Sequence, residues 1–276
     1  MKTILVPVDF SEVSRNAAYF AGNLCNEIGP VRLILFNMFD NYMSGSDGSL
    51  MQDDQEDRKA IRLMALNNVC REFEVNDTVT LECKAEAGGS LVHTLNKVVA
   101  DEEVDMIIMG ITGASRLEQI FIGSNTLRLL KHATIPILVI PPEVKFTGCS
   151  NLLLAADLDG DSSHLPKSKI EALLHLFPMA NLHIVYVNTH NNTTLNEHQQ
   201  SEKVKLENWL ELRTPEFHII AQTNFIQAIN SFVTSNKIDI LLTVPKTNAF
   251  LNGIFKHTHT GILGYNSVAP FIAVHE

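Results

Sequence analysis

The sequence predicts an α/β protein of two tandem, doubly wound domains, each built on a five-stranded parallel sheet. Three observations predict it. Short apolar runs alternate with amphipathic segments along the whole chain, which is the pattern of strand–helix–strand units and so of a parallel sheet. The 276 residues suit two domains of about 140 residues each. The second half also repeats the order of the first, and part of it superposes on the first without a gap.

The first copy starts with KTILVPVD (2–9), a continuous apolar run that reads as a buried parallel strand. A helix follows over 11–28, with Ser11 as its N-cap. VRLILFNMF (31–39) is the next strand, and the polar, Gly- and Ser-rich stretch 41–52 is a loop. The helix 53–74 carries acids at its start, which suits the helix dipole. VTLECKAEA (79–87) alternates as a strand does, and Gly88, Gly89 and Ser90 lead into a helix over 91–103. VDMIIMG (104–110) is a buried strand, and a helix over 124–133 and the strand 135–142 close the unit.

The second copy gives strands at 151–157, 182–188, 217–222, 238–244 and 270–275. Its helices fall at 166–177, 196–213, 225–236 and near 258–266. From Asp105 to Pro136 is 31 steps, as it is from Asp239 to Pro270. Between these ends the two segments share Leu117/Leu251, Ile120/Ile254, Phe121/Phe255, Thr126/Thr260 and Leu129/Leu263. Both copies open on an apolar strand ending in aspartate, Asp9 and Asp157. Duplication accounts for this better than chance, and it places the domains at 1–146 and 147–276.

The net charge is −10, divided −7 and −3 about Thr147. With no basic stripe, a nucleic-acid backbone is excluded as partner. An acidic protein can still take a nucleotide on backbone amides. The four cysteines form no CxxC pair and suggest neither a disulfide framework nor a zinc ribbon; scattered thiols fit a reducing compartment. The start reaches Asp9 after five largely apolar residues, too few for a secretory core, and no run approaches the ~18 apolar residues that span a membrane. The expectation is a soluble cytoplasmic protein with no membrane partner.

The chemistry concentrates in MGITGASRLEQIFIGSN (109–125). Gly110 follows a buried strand, Gly113 comes three residues on, and Gly123 ten after that. Ser124 and Asn125 then open a helix. Gly110 and Gly113 lack a Cβ, so they can take positive φ and let a polyphosphate approach the backbone. Gly123 lets it reach the helix N-terminus, where unpaired amides favour an anion and the Ser124 hydroxyl adds a donor. The carboxyl end of a doubly wound sheet is where ligands bind. There is no Walker A lysine and no dinucleotide Gly-x-Gly-x-x-Gly.

Gly-x2-Gly-x9-Gly-Ser after the fourth strand resembles the nucleotide signature of the ATP-binding branch of the universal stress protein family. ILVPVDFSEVSRNA and IPILVIPP are similar to that family's first and last strands. The resemblance covers the chain as two copies and implies flavodoxin-like, adenine nucleotide α-hydrolase-like domains. It implies that Gly110, Gly113, Gly123, Ser124 and Asn125 hold phosphates and that Asp9 lies at the ribose and phosphate mouth. Pro7, Met38 and Met109 would border the adenine, although Met38 and Met109 read equally well as plain core residues. The implied ligand is ATP, or ADP or AMP in its place, with Mg²⁺ an optional companion at Asp9. The resemblance also implies that 135–140 and 270–275 pair within the chain, that two chains can associate further, and that the role lies in stress response.

In the second copy Val244, Thr247, His257, Thr258 and His259 stand where the first has Gly110, Gly113, Gly123, Ser124 and Asn125. Side chains fill the space a triphosphate needs, and β-branched residues resist positive φ, so this copy is expected not to bind ATP in the same way. Nine of the eleven histidines lie after residue 147. His257 and His259 form an HxH pair, and His183, His218 and His275 sit on apolar strands. No set of three or four converging ligands is fixed by the sequence, so no metal site is assigned. Arg116, Ser115 and Glu118 offer no recognisable catalytic base, so at most slow hydrolysis is expected. The alternative is a non-catalytic adaptor switched by ATP, or a ligand-binding protein whose second domain takes another small molecule or a metal. A mobile lid over Tyr42–Gln52 is a further expectation.

Overall fold

The computed structural model describes residues 2–40, 43–44, 50–51, 55–111, 124–190, 192–244 and 269–275. These residues form two compact units, one running to Thr147 and the other starting at Gly148.

The first unit has strands β1 (Lys2–Pro7), β2 (Val31–Phe39), β5 (Val79–Ala87), β6 (Met106–Gly110) and β7 (Ile137–Ile140). They lie in the order β7-β6-β1-β2-β5, all parallel. Such strands are covered on both faces, which is why they read as unbroken apolar runs: Leu5, Val6, Leu33, Ile34, Leu35 and Phe36 are fully buried. The helices are α1 (Glu12–Ile28), α2 (Gln55–Cys70), α3 (Leu91–Asp101) and α4 (Ser124–His132). In α1 the apolar residues recur at helical spacing, and Ala17, Ala18, Phe20, Ala21, Leu24 and Cys25 form its buried face. Within the stretch read as a loop, Met43–Ser44 (β3) and Leu50–Met51 (β4) pair as a short antiparallel ladder; the rest of that stretch lies outside the described residues. Hairpins are set by backbone turn geometry, which the polar composition hid.

The second unit repeats the plan with β8 (Asn151–Ala156), β9 (Asn181–Asn188), β10 (Glu216–Ala221), β11 (Ile240–Thr243) and β12 (Phe271–Ala273), ordered β10-β9-β8-β11-β12 and parallel. Its described helices are α5 (Lys167–Leu174), α6 (Glu197–Trp209) and α7 (Phe225–Ser235). The helix read over 196–213 stops at Trp209 and continues as a 3₁₀ turn, Glu211–Arg213, ending at Thr214 with φ 42°. Pro215 follows, and a residue before proline is pushed out of the α region. Arg213 then donates to the carbonyls of Leu174, Phe177, Pro178 and Ala180, which satisfies the open end of α5. The helix read near 258–266 lies outside the described residues.

The sequence repeat has a structural meaning at its ends. The Asp105 carboxylate accepts the Thr3 N–H at 2.8 Å, and the Asp105 N–H returns a bond to the Thr3 carbonyl. Asp239 accepts from Ser150 and Asn151 at 2.7 and 2.9 Å and returns its N–H to Asn151. In both units this aspartate locks the start of the fourth strand to that of the first.

Two features had no signal in the sequence. Cys70, ending α2, and Cys83, on β5, bring their Sγ atoms to 2.9 Å as free thiols. Their bond raises the Cys70 pKa and lowers that of Cys83. Arg32 spans Glu82 and Glu102 at 2.8 and 2.7 Å, and Lys84 also reaches Glu102.

Candidate nucleotide site

In each unit the order of strands reverses direction beside the first strand, because β1 leads outward to β2 on one side while β6 lies on the other. The crossovers leave a crevice at the carboxyl ends of these two strands. Pro7 ends β1, half-buried and opposite Phe36. Met109 and Gly110 end β6, opposite Val139 and Ile140. The structure therefore brings Pro7, Asp9, Met109 and Gly110 to one end of one strand pair.

Asp9 is exposed, and its Oδ1 accepts the Ser11 N–H at 3.0 Å and the Ser11 hydroxyl at 2.5 Å. Partial burial works to raise its pKa, but the bonds from Ser11 and Ser14 outweigh this and hold it below the ordinary carboxylate value. Phe10 follows with φ 65°, a left-handed conformation unusual for a bulky residue and typical of constrained sites. Ser11 is the N-cap of α1, its hydroxyl accepting the Ser14 N–H at 3.2 Å. Ser11→Ala removes both this cap and the bond to Asp9. It is expected to lower the urea midpoint of the first unit by the equivalent of about 1 kcal/mol, and an unchanged midpoint would contradict the capping role.

Gly110 corrects one expectation. It lies in strand conformation, is buried, and is not among the positive-φ residues. Its missing side chain serves packing: a Cβ there would stand 2.5 Å from Val13 Cγ1 and 3.0 Å from the Val13 carbonyl oxygen. The first turn of α1 therefore rests on the end of β6. Gly110 is also touched from the other side of the chain, since the buried Thr126 hydroxyl donates to its carbonyl at 3.4 Å. Thr126 is in the first turn of α4, directly after the exposed Ser124 and Asn125. Two helix N-terminal turns thus meet at one strand end beside an ionised carboxylate. Their amides favour an anion. Gly113 and Gly123 lie outside the described residues.

Met109 is 6% exposed and belongs to the core. Met38 is half-buried at the end of β2, where a Cβ on Gly88 would meet its Sδ at 3.0 Å. The residue before it, Asn37, was not foreseen. It is buried, its amide donates to the Val8 carbonyl at 2.7 Å, and its Oδ1 has no hydrogen-bond partner among the described residues. A buried acceptor left unpaired costs roughly 1–3 kcal/mol, so this atom stands ready for a donor at the carboxyl end of the sheet.

The second unit differs at the positions of Gly110 and Asp9. Its Val244 is buried where the first unit has Gly110. Here the helix after the first strand, α5, starts only at Lys167, ten residues after Asp157, whereas α1 starts three after Asp9. Burial raises the Asp157 pKa, and its Oδ1 is taken by the Asp159 and Gly160 amides. Asp159, Tyr186 and Gln199 bond one another at 2.8–3.1 Å, so the polar groups at this strand end satisfy themselves. Thr247, His257, Thr258 and His259 lie outside the described residues.

Among the described residues no helix is long and apolar enough to cross a membrane. The universal stress protein family model matches residues 1–141. A universal stress protein of Methanocaldococcus jannaschii is 30% identical over 149 residues, covering 50% of this chain and 81% of that one. One from Synechocystis is 29% identical over 140 residues, covering 51% and 85%. The crystal structure of a universal stress protein from Archaeoglobus fulgidus aligns with a TM-score of 0.64 at 16% identity, covering 99% of this chain and 98% of that one; this likeness is one of fold. With the family model matching over half its length, the chain belongs to the universal stress protein family.

Proposed function

We propose that the chain binds one adenine nucleotide, ATP or in its place ADP or AMP, at the carboxyl ends of β1 and β6. In this reading nucleotide occupancy regulates a stress response in the cytoplasm. The observation that carries it is the meeting of the α1 and α4 first turns at Gly110, beside ionised Asp9. The phosphates fit this end, with Ser124 and Asn125 on α4 and the glycines of the 110–123 loop around them. Asp9 is the ligand type Mg²⁺ takes when it accompanies a polyphosphate. Pro7, Met38 and the unpaired Asn37 Oδ1 lie on the base side. The second unit, with Val244 and its self-satisfied Asp159–Tyr186–Gln199 cluster, takes no nucleotide in this way. Turnover is slow at most, and the regulatory output is binding rather than catalysis.

Titrating Mg-ATP into the intact chain and into Asp9→Ala tests the reading. The substitution is expected to weaken binding by about tenfold or more, the size of one or two charge-assisted contacts. Equal affinity in both would remove Asp9 from the site, and no binding by intact protein free of carried-over nucleotide would favour an adaptor without nucleotide.

A further inference from the structure

On the second unit, at the amino-terminal ends of β9 and β10, three potential ligands converge. His183 is the third residue of β9, and Glu216 and His218 are the first and third of β10. The parallel register sets Glu216 directly beside His183. Side chains two residues apart on a strand share a face, so His218 joins the same face one step along. His183 Nδ1 and His218 Nε2 are 3.3 Å apart. Glu216 Oε2 is 3.5 Å from the first and 3.8 Å from the second. All three atoms lie within 4.8 Å of one another.

These separations discriminate between two accounts of the cluster. As hydrogen bonds they are poor, because N–H···O and N–H···N contacts centre near 2.9–3.0 Å and fade beyond about 3.2 Å. Two of the three are also longer than any good bond. As edges of a coordination tetrahedron the 3.3 and 3.5 Å separations fit, and the 3.8 Å one needs only a small turn of the exposed Glu216 side chain. With metal–nitrogen and metal–oxygen bonds of about 2.0–2.2 Å, tetrahedral geometry sets neighbouring ligand atoms roughly 3.3–3.6 Å apart. The donor set of two imidazoles and one carboxylate is one that zinc-class ions take. Phe232 on α7 packs against both rings, 5.9 Å from His183 and 4.8 Å from His218, and fixes their planes. His183 is 7% exposed, while the Glu216 side chain is 67% exposed. An ion can therefore enter from the Glu216 side, where water completes its shell.

We propose that His183, Glu216 and His218 form a binding site for a zinc-class divalent transition metal on the second unit. His183 binds through Nδ1, His218 through Nε2 and Glu216 through one carboxylate oxygen, with the fourth position held by water. The ion ties the edge strand β10 to β9 and gives the second unit a ligand of its own, independent of nucleotide in the first.

The test is calorimetric titration of the full chain with ZnCl₂, alongside Glu216→Gln, His218→Ala and the control His190→Gln/His198→Gln, two exposed histidines elsewhere on the unit. The expected result is one zinc per chain, weakened about tenfold or more by Glu216→Gln and further by His218→Ala, with the control unchanged. Glu216 is on the surface, so its variant keeps the fold and the result stays interpretable if His218→Ala does not. Co²⁺ in place of zinc is expected to give the intense visible bands of a tetrahedral site, absent in the variants. No uptake by the intact chain overturns the proposal. So does uptake that survives Glu216→Gln with His218→Ala combined, or that disappears in His257→Gln/His259→Gln instead.

Discussion

Gly110→Val is expected to destabilise the first unit by about 1–3 kcal/mol, the usual cost of forcing extra methyl groups into a packed interior. The new Cβ would stand 2.5 Å from Val13 Cγ1 and 3.0 Å from the Val13 carbonyl oxygen. One is the end of a stiff β-branched side chain and the other is backbone, so α1 must move away from β6. That motion also disturbs Asp9 and the cap at Ser11, so nucleotide affinity falls together with stability. Hydrogen exchange of the α1 and β6 amides reads the loosening directly. Val13→Ala in the same chain removes the Cγ1 collision but not the backbone one, so it restores part of the loss. The double-mutant cycle should give a favourable coupling of about 0.5–3 kcal/mol. Additive effects would mean that Val13 is not what Gly110 makes room for.

The second large effect is expected at Glu202, a buried carboxylate on the otherwise polar helix α6. Its oxygens accept the Ser162 N–H at 2.8 Å and the Lys205 ammonium at 2.6 Å. Burial alone would raise its pKa, but the bonds from Lys205 and Ser162 dominate and bring it down to about 2. A folded pKa below the unfolded value, near 4.3, means that the charged form stabilises the fold. That stability is complete above about pH 4.5 and is lost as the pH falls through about 2. The shift corresponds to about 2–3 kcal/mol, the lower figure allowing for solvent around the half-exposed Lys205. Glu202→Gln resembles the protonated acid, so the wild type should exceed it by this amount at pH 7 and converge with it near pH 2. Trp209, the only tryptophan and the last residue of α6, reports the unfolding of this unit by fluorescence. A difference that stays constant with pH would contradict the assignment.

Much of the fold was legible because its signals are local. A period of two or an unbroken apolar run against a period of 3.6 placed the ten parallel strands and the described helices between them to within a few residues, and missed only the short β3–β4 ladder among the described strands. Ser11 read as a cap because a side-chain oxygen before an amphipathic run has few other uses. The repeat pair Asp105 and Asp239 was visible as identity, and the structure supplies its reason in matched bonds to the first strands.

The rest depends on partners distant in sequence. Gly110 looked like a phosphate glycine, and only the packing of α1, almost a hundred residues earlier, shows that Val13 also requires it. Thr126 and Asn37 carry no motif; their bonds to Gly110 and Val8 follow from strand neighbours. Cys70 and Cys83 are thirteen residues apart and read as scattered until α2 folds back on β5. His183 and His218 stand on apolar strands in the sequence, but the register that adds Glu216 exists only once β9 and β10 pair. Gly113, Gly123 and the HxH pair His257/His259 lie outside the described residues, and the readings made of them rest on the sequence.

The central claim is one working nucleotide site per chain, in the first unit. The stoichiometry of ATP binding, measured by calorimetry on the intact protein and on Gly113→Val, tests it most directly. The variant places in the first copy the kind of β-branched side chain that the second copy carries at Thr247. The account predicts one ATP per chain, with binding lost in the variant. Two sites per chain, or one site that Gly113→Val leaves untouched, would contradict it.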